Sequence, residues 1–429
     1  MKLAATVLAA ATIVAQGPLL DDATVTPTAG YTDENGSWVP PSRDRAPDTD
    51  SCQRSLVPPE PVSTSERRGD ATPAPLPQSY TGPCGVSAAV GFQVDPKVVA
   101  SSWAVVDIDS GEVVAMKDPH GRYRPASLIK VLLALVAIDE LDLDAVVPVS
   151  AESASQEGSA AGIGEDGTYT VRDLLHGLIL ASGNDCAHAL AQALGGDSAA
   201  LLKVNQRAQE LGMADTRATT YSGLDSPGMS TSAWDMALAY RAAFNNPTFA
   251  GIADTESYPF PGYGDQPGFE LWNDNKLYLN DPEGIGGKTG YTDDANHTFA
   301  GAVDHDGRRL LAVLLDTSAY DMRPWEQAQK LLEAAYPIAA GNGVAWLETA
   351  GAETAATATP QPGANGAENS TGAAADSTDS TERADRSDAA DAGRYGWLPA
   401  AIVAGVLVLA GLGIWLNART YRGGRGARD

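Results

Sequence analysis

Apolar positions along the chain follow different periods in different stretches, and those periods predict the elements. SWAVVDI, from Ser102, and EVVAMK, to Lys117, are two β-rich runs separated by Asp109-Ser110-Gly111, a turn composition that predicts a hairpin. SLIKVLLALVAIDEL follows as an apolar helix beginning after Pro125. In TVRDLLHGLILASGND and CAHALAQALGG, Leu, Ile and Ala recur at helical spacing. The recurrence breaks at Ser182-Gly183-Asn184, where Gly and Asn favour a turn between two helices. HTFAGAV and RRLLAVLLDT flank Asp304-His305-Asp306-Gly307 as a second hairpin, and RPWEQAQKLLEAAYP reads as a closing helix. Strands at both sequence ends with helices between predict a mixed α/β (α+β) body over residues 84–347, with no internal repeat.

Outside that body the pattern changes. Residues 19–83 are rich in Pro, Ser, Thr and Asp, sustain neither period, and read as an extended or partly disordered segment. Residues 348–394 lack large apolar side chains, cannot form a core and read as a tether. Residues 1–18 open with Met1-Lys2 and continue as a short Ala/Val/Leu run, the order of a secretory signal peptide; an uncleaved anchor is the other reading. Trp397–Leu416 is an uncharged run long enough to cross a hydrocarbon core of roughly 30 Å, so residues 395–417 are expected to form one transmembrane helix. Arg419, Arg422, Arg425 and Arg428 follow it, against Arg394 just before, which places the tail 418–429 in the cytoplasm and the body outside.

The formal charge of -26 would repel phosphate backbones, so no nucleic-acid partner is expected. The three cysteines have no C-x-x-C spacing and the five histidines no H-x-x-x-H pair, so no metal or other cofactor is assigned. Cys52 and Cys84 lie in the loop-rich N-terminal stretch, where an oxidising compartment would allow them to pair and pin it to the body. Cys186 falls in an apolar helical pattern and reads as a small buried hydrophobe.

The chemistry-bearing pattern is a series of three motifs. Ser127-Leu128-Ile129-Lys130 puts a hydroxyl and an amine three residues apart at a helix start, on one face and within reach. A serine hydroxyl needs a neighbour to take its proton, and a lysine in a desolvated, cation-rich site has a pKa low enough to do so. Ser182-Gly183-Asn184 adds a hydroxyl for proton shuttling and an amide able to hold a substrate carbonyl. Lys288-Thr289-Gly290 follows Gly284-Ile285-Gly286-Gly287 and precedes a hairpin, where glycines let a substrate backbone come close and Lys288 and Thr289 can bind a carboxylate. Each motif alone is commonplace: a helix N-cap, a turn, a strand with a charged residue. S-x-x-K, S-x-N and K-T-G in that order form the signature of penicillin-recognising serine acyltransferases.

On these motifs, and on PASLIKVLLAL, NQRAQELGMADT, SGLDSPGMSTSAWDM and GGKTGYTDDA, the chain resembles the low-molecular-mass D-alanyl-D-alanine carboxypeptidases of the S11 peptidase type over about Trp103 to Leu315. The resemblance implies an antiparallel sheet covered by helices, with a helical subdomain. It implies Ser127 as acylated nucleophile, Lys130 as base, and Ser182 and Asn184 lining the cleft. Lys288, Thr289 and Gly290 would receive the substrate, and the N–H groups of Ser127 and Tyr291 would form an oxyanion hole. The implied substrate is the D-Ala-D-Ala end of a peptidoglycan stem peptide, with β-lactams as covalent mimics. Two departures stand out: a tether and spanning segment replace the β-rich domain and amphipathic anchor of many members, and Cys186 stands where Ala is usual. Two other functions fit the same motifs. A membrane-anchored β-lactam or muropeptide sensor would acylate without turnover, and a class A-like β-lactamase would need a deacylating glutamate, for which Glu270 comes late in the sequence.

Overall fold

The computed structural model describes residues 31–32, 38–39, 42–67 and 72–347. All of these belong to one compact unit. The signal, tether, spanning-helix and tail expectations fall on residues outside this set. Among the described residues no helix is long and apolar enough to cross a membrane.

The alternating apolar runs form an antiparallel seven-stranded sheet. Its strands are β1 (Val86–Ala88), β2 (Ser102–Asp107), β3 (Glu112–Lys117), β4 (Gly284–Thr292), β5 (Asn296–His305), β6 (Arg308–Thr317) and β7 (Ala345–Trp346). The order is β4-β5-β6-β2-β3-β7, with β1 also on β3, so both expected hairpins, β2–β3 and β5–β6, are present and β6 joins them. Side chains alternate across a strand. Ala104 and Val106 of β2 therefore join Leu311, Val313 and Leu315 of β6 in the core on one face. Trp103 and Val105 join Leu310, Ala312 and Leu314 on the other.

The first face shares its core with α1 (Lys130–Glu140), whose residues from Lys130 to Ala137 are all buried. A helix apolar all round belongs at the centre of a fold. Around it stand α2 (Val171–Leu180), α3 (Asn184–Ala193), α4 (Asp197–Glu210) and α5 (Ala233–Phe244). Thr170 and Asp173 make a reciprocal capping box on α2, which fixes where that helix starts. α6 (Pro324–Ala335), with Pro324 in its first turn, covers the second face.

The described N-terminal residues, 42–67 and 72–83, are mostly irregular with one short helical turn, Thr64–Arg67, and are seated on the body. Cys52 and Cys84 are disulfide-bonded, and Cys186 is buried and free. The buried Arg122 donates to the carbonyls of Leu56, Leu76 and Pro77 and faces Asp215. Arg124 donates to Pro59 O and to the Glu66 carboxylate. Two guanidiniums thus satisfy a chain that has almost no regular ladder of its own.

Candidate active site

Ser127 sits in a one-turn 3-10 helix, Ala126–Ile129, that leads into α1. Ala126 adopts a left-handed φ of 47°, uncommon for a residue with a Cβ. Two neighbours hold this turn. Thr298 Oγ1 donates to Pro125 O at 2.9 Å. Gly223, at φ 89°, packs its Cα so closely that a methyl group there would meet Ala126 O at 1.9 Å. The strained residue lies directly before the nucleophile candidate, where over-determined backbone tends to serve positioning.

Lys130 Nζ lies 2.8 Å from Ser127 Oγ and donates to Ser222 O at 2.6 Å. Burial, and then the charge of Lys288, push the Lys130 pKa well below the usual lysine range. Lys288 is itself buried, its pKa lowered by burial, and donates to Thr289 O at 3.0 Å. Two lysines so enclosed favour a neutral amine at Lys130, the form able to take a proton.

The turn between α2 and α3 delivers the second motif. Ser182 is buried with a φ of 59°, and its hydroxyl makes no hydrogen bond to other described residues. Asn184 begins α3 and donates Nδ2 to Glu157 O at 2.6 Å, while its buried Oδ1 has no partner. Since Glu157 O can only accept, the amide must point its nitrogen there. The unpartnered oxygen can accept a substrate N–H, and the second hydrogen on Nδ2 remains for the substrate carbonyl that the motif suggested. Asp185 fixes the facing loop by accepting from the N–H groups of Ala161, Gly162 and Ile163.

The third motif lies on β4, the edge of the sheet. Gly290 passes against the nucleophile turn: a Cβ there would stand 3.1 Å from Ser127 N and 2.3 Å from Thr298 Oγ1. This closeness brings β4 beside the Ser127 amide. Thr289 Oγ1 donates to Asp274 Oδ2 at 2.8 Å, and the buried Asp274 Oδ1 is unpartnered. Asp274, Thr289, Gly290, His297 and Arg323 line one groove of about 510 Å³. Among the described residues Arg323 makes no ion pair. Tyr291 is exposed, with its ring 4.8 Å from that of His297.

The first and third motifs thus meet at Ser127, and Asp185 and Cys186, just after the second, lie near enough for their charges to act on Lys130. Asp274, Ser222 and Arg323 join them without having been singled out in the sequence. Ser222 lies in SGLDSPGM, one of the stretches that carry the resemblance, whereas Asp274 and Arg323 belong to no local motif. Glu270 is exposed on the strand Phe269–Trp272 and makes no hydrogen bond to these residues. The set offers an activated serine hydroxyl, an unpaired proton-relay hydroxyl, and a cation at an open groove, which suits covalent acyl transfer at a substrate bearing a carboxylate.

Comparison with known proteins agrees with this chemistry. A family profile described as D-alanyl-D-alanine carboxypeptidase, peptidase S11, matches residues 90–319. D-alanyl-D-alanine carboxypeptidase DacB2 of Mycobacterium tuberculosis is 43% identical over 243 residues, which cover 56% of this chain and 82% of that protein. DacD of Salmonella typhimurium is 32% identical over 269 residues, 59% of this chain and 67% of its own. A crystal structure of a D-alanyl-D-alanine carboxypeptidase from Mycobacterium tuberculosis H37Rv superposes with a TM-score of 0.58 at 39% identity, covering 61% of this chain and 99% of that one.

Proposed function

The chain belongs to the peptidase S11 family of D-alanyl-D-alanine carboxypeptidases, and we propose that it cleaves the terminal D-alanine from peptidoglycan stem peptides with Ser127 as nucleophile. The observation that carries this reading is the 2.8 Å approach of the depressed-pKa Lys130 amine to Ser127 Oγ. Lys130 takes the hydroxyl proton as Oγ attacks the carbonyl carbon between the two D-alanines. The negative charge that develops on oxygen is received by the N–H groups of Ser127 and Tyr291. Ser182 relays that proton from Lys130 to the departing amine, the C–N bond breaks and free D-alanine leaves. Water then attacks the ester, returning Ser127 its proton and releasing the shortened peptide.

The terminal carboxylate is received in the open groove by Arg323 and by Thr289, whose hydroxyl turns from Asp274 to donate to it. Lys288, buried under the strand, acts mainly by its charge, keeping Lys130 neutral. Asn184 Oδ1 accepts an N–H of the stem peptide. β-Lactams, which mimic the dipeptide, acylate the same oxygen. Residues 395–417 anchor the enzyme as a single transmembrane helix, with the catalytic unit outside the cell membrane and the C-terminus in the cytoplasm; the uncharged run and the arginines after it support this reading.

The test is free D-alanine released from a D-Ala-D-Ala-ending peptide by the full-length protein, beside Ser127→Ala. Many turnovers by the parent and none by the variant are expected. One-time penicillin labelling at Ser127 without D-alanine release would replace the enzyme with a sensor.

A further inference from the structure

We propose that the N-terminal turn Val62–Arg67 is a positioning element of the catalytic cleft, holding the two loops and the arginine that border the nucleophile in register. The inference rests on the carboxypeptidase reading above. The turn meets the body at points that are each three residues from the chemistry. Arg124 precedes Ser127 by three residues, Asp225 follows Ser222 by three, and Asp294 follows Tyr291 by three.

The contacts form a closed circuit. Asp294 Oδ1 accepts from the N–H of Ser63 at 2.7 Å and from the N–H of Val62, and its Oδ2 accepts from the Ser63 hydroxyl. Asp225 accepts from Thr292 Oγ1 at 2.6 Å and from Asp294 N at 3.2 Å, tying the loop after Ser222 to the β4–β5 turn. Glu66 receives Arg124 through both carboxylate oxygens, at 2.5 and 2.6 Å. The carboxylates of Glu66, Asp225 and Asp294 lie within 4.8 Å of one another. Arg124 faces all three as their counter-charge. Burial, and then the Asp294 charge, push the Asp225 carboxyl up to about 6.

This arrangement is poised against itself. Three carboxylates repel at short range, and what keeps Asp294 in place is a set of fixed donors from the N-terminal turn. Without them the β4–β5 turn would relax away from Asp225, carrying the Tyr291 N–H out of line with the Ser127 N–H. Gly223, on the other tied loop, sets the Ala126 turn. A displacement near 1 Å at such a donor is enough to cost about 100-fold in rate. The Cys52–Cys84 bond encloses Val62–Arg67 within one covalent loop, which keeps the turn close to its seat.

The experiment compares the full-length parent with Ser63→Ala, Ser63→Thr and Glu66→Gln. Readouts are kcat and KM on a D-Ala-D-Ala peptide, the rate constant for acylation by a fluorescent penicillin, and Tm. Ser63→Ala and Glu66→Gln should lower kcat and the acylation rate about 10-fold or more, with KM changed by less, at temperatures well below each Tm. Ser63→Thr, which keeps the hydroxyl, should recover most of the loss. If Ser63→Ala and Glu66→Gln acylate like the parent while Tm falls, the turn is only structural and the proposal is overturned. A parent that is never acylated at Ser127 would instead bring down the carboxypeptidase reading and this inference with it.

Discussion

Gly290→Ala tests how closely the sheet edge must approach the nucleophile. The new methyl carbon would stand 2.3 Å from Thr298 Oγ1, 3.1 Å from Ala126 Cβ and 3.1 Å from Ser127 N. Thr298 cannot swing aside freely, because its hydroxyl holds Pro125 O at 2.9 Å. Reaching an ordinary contact of 3.4 Å therefore requires β4 to withdraw by about 1 Å, since the body behind Thr298 is packed. Such overpacking costs about 1–3 kcal/mol, which lowers Tm by roughly 2–12 °C in a body of this size. The catalytic effect should be larger than the thermal one. The oxyanion donors on Ser127 and Tyr291 would be pulled apart, and loss of one such donor costs 10²–10³-fold, about 2.7–4 kcal/mol. Stopped-flow acylation by a fluorescent penicillin should slow at least about 100-fold at 20 °C, with the protein still folded by circular dichroism. A variant that stays folded and is acylated at the parent rate would refute the claim that Gly290 sets this geometry.

Three further outcomes are expected. Removing the Lys288 charge by Lys288→Ala should raise the Lys130 pKa, because that charge helps to push it down; the acid limb of kcat/KM against pH should then move to higher pH. An unmoved limb would mean that Lys288 does not tune Lys130. Arg323→Ala should reduce kcat/KM about 10- to 100-fold for peptides with a free terminal carboxylate, and a similar loss for a carboxamide-ended peptide would exclude carboxylate binding as its role. Replacing both Cys52 and Cys84 by Ser should cost about 3–4 kcal/mol, read as a lower Tm, since the bond closes a loop with a sequence separation of 32; an unchanged Tm would show that the arginine contacts alone hold the segment.

The parts of the fold legible in the sequence are those whose side chains repeat. Both hairpins, the buried α1 and the closing helix carry β-rich or helical runs, and the turn at Ser182 shows as the break in one of them. The seating of residues 42–67 and 72–83 left no such trace. Its partners are backbone carbonyls, which every sequence has, and two arginines, Arg122 and Arg124, that read as ordinary surface cations until they prove buried. In the site, Ser127, Lys130, Ser182, Asn184 and Lys288-Thr289-Gly290 were legible because they come as short spaced sets. Asp274 and Arg323 were not, since each arrives singly from a different loop, and proximity in space leaves no spacing to read. The free atom of Asn184 was equally hidden: only the position of Glu157 O decides which end of the amide is left over.

The pairing of β6 with β2 has a consequence for the timing of synthesis. Leu310–Leu315 must lie beside Ser102–Asp107, so the strand that joins the two hairpins is made some two hundred residues after its partner. A chain that grows from its N-terminus has made Ser127 and Lys130 long before β4, β5 and β6 exist, so the turn before Ser127 lacks Thr298 until then. Until then the serine has neither its second oxyanion donor nor the charge of Lys288 behind its base. On the carboxypeptidase reading, the serine becomes reactive only when the last strands close the sheet, so activity waits on the last part of the catalytic body to be made.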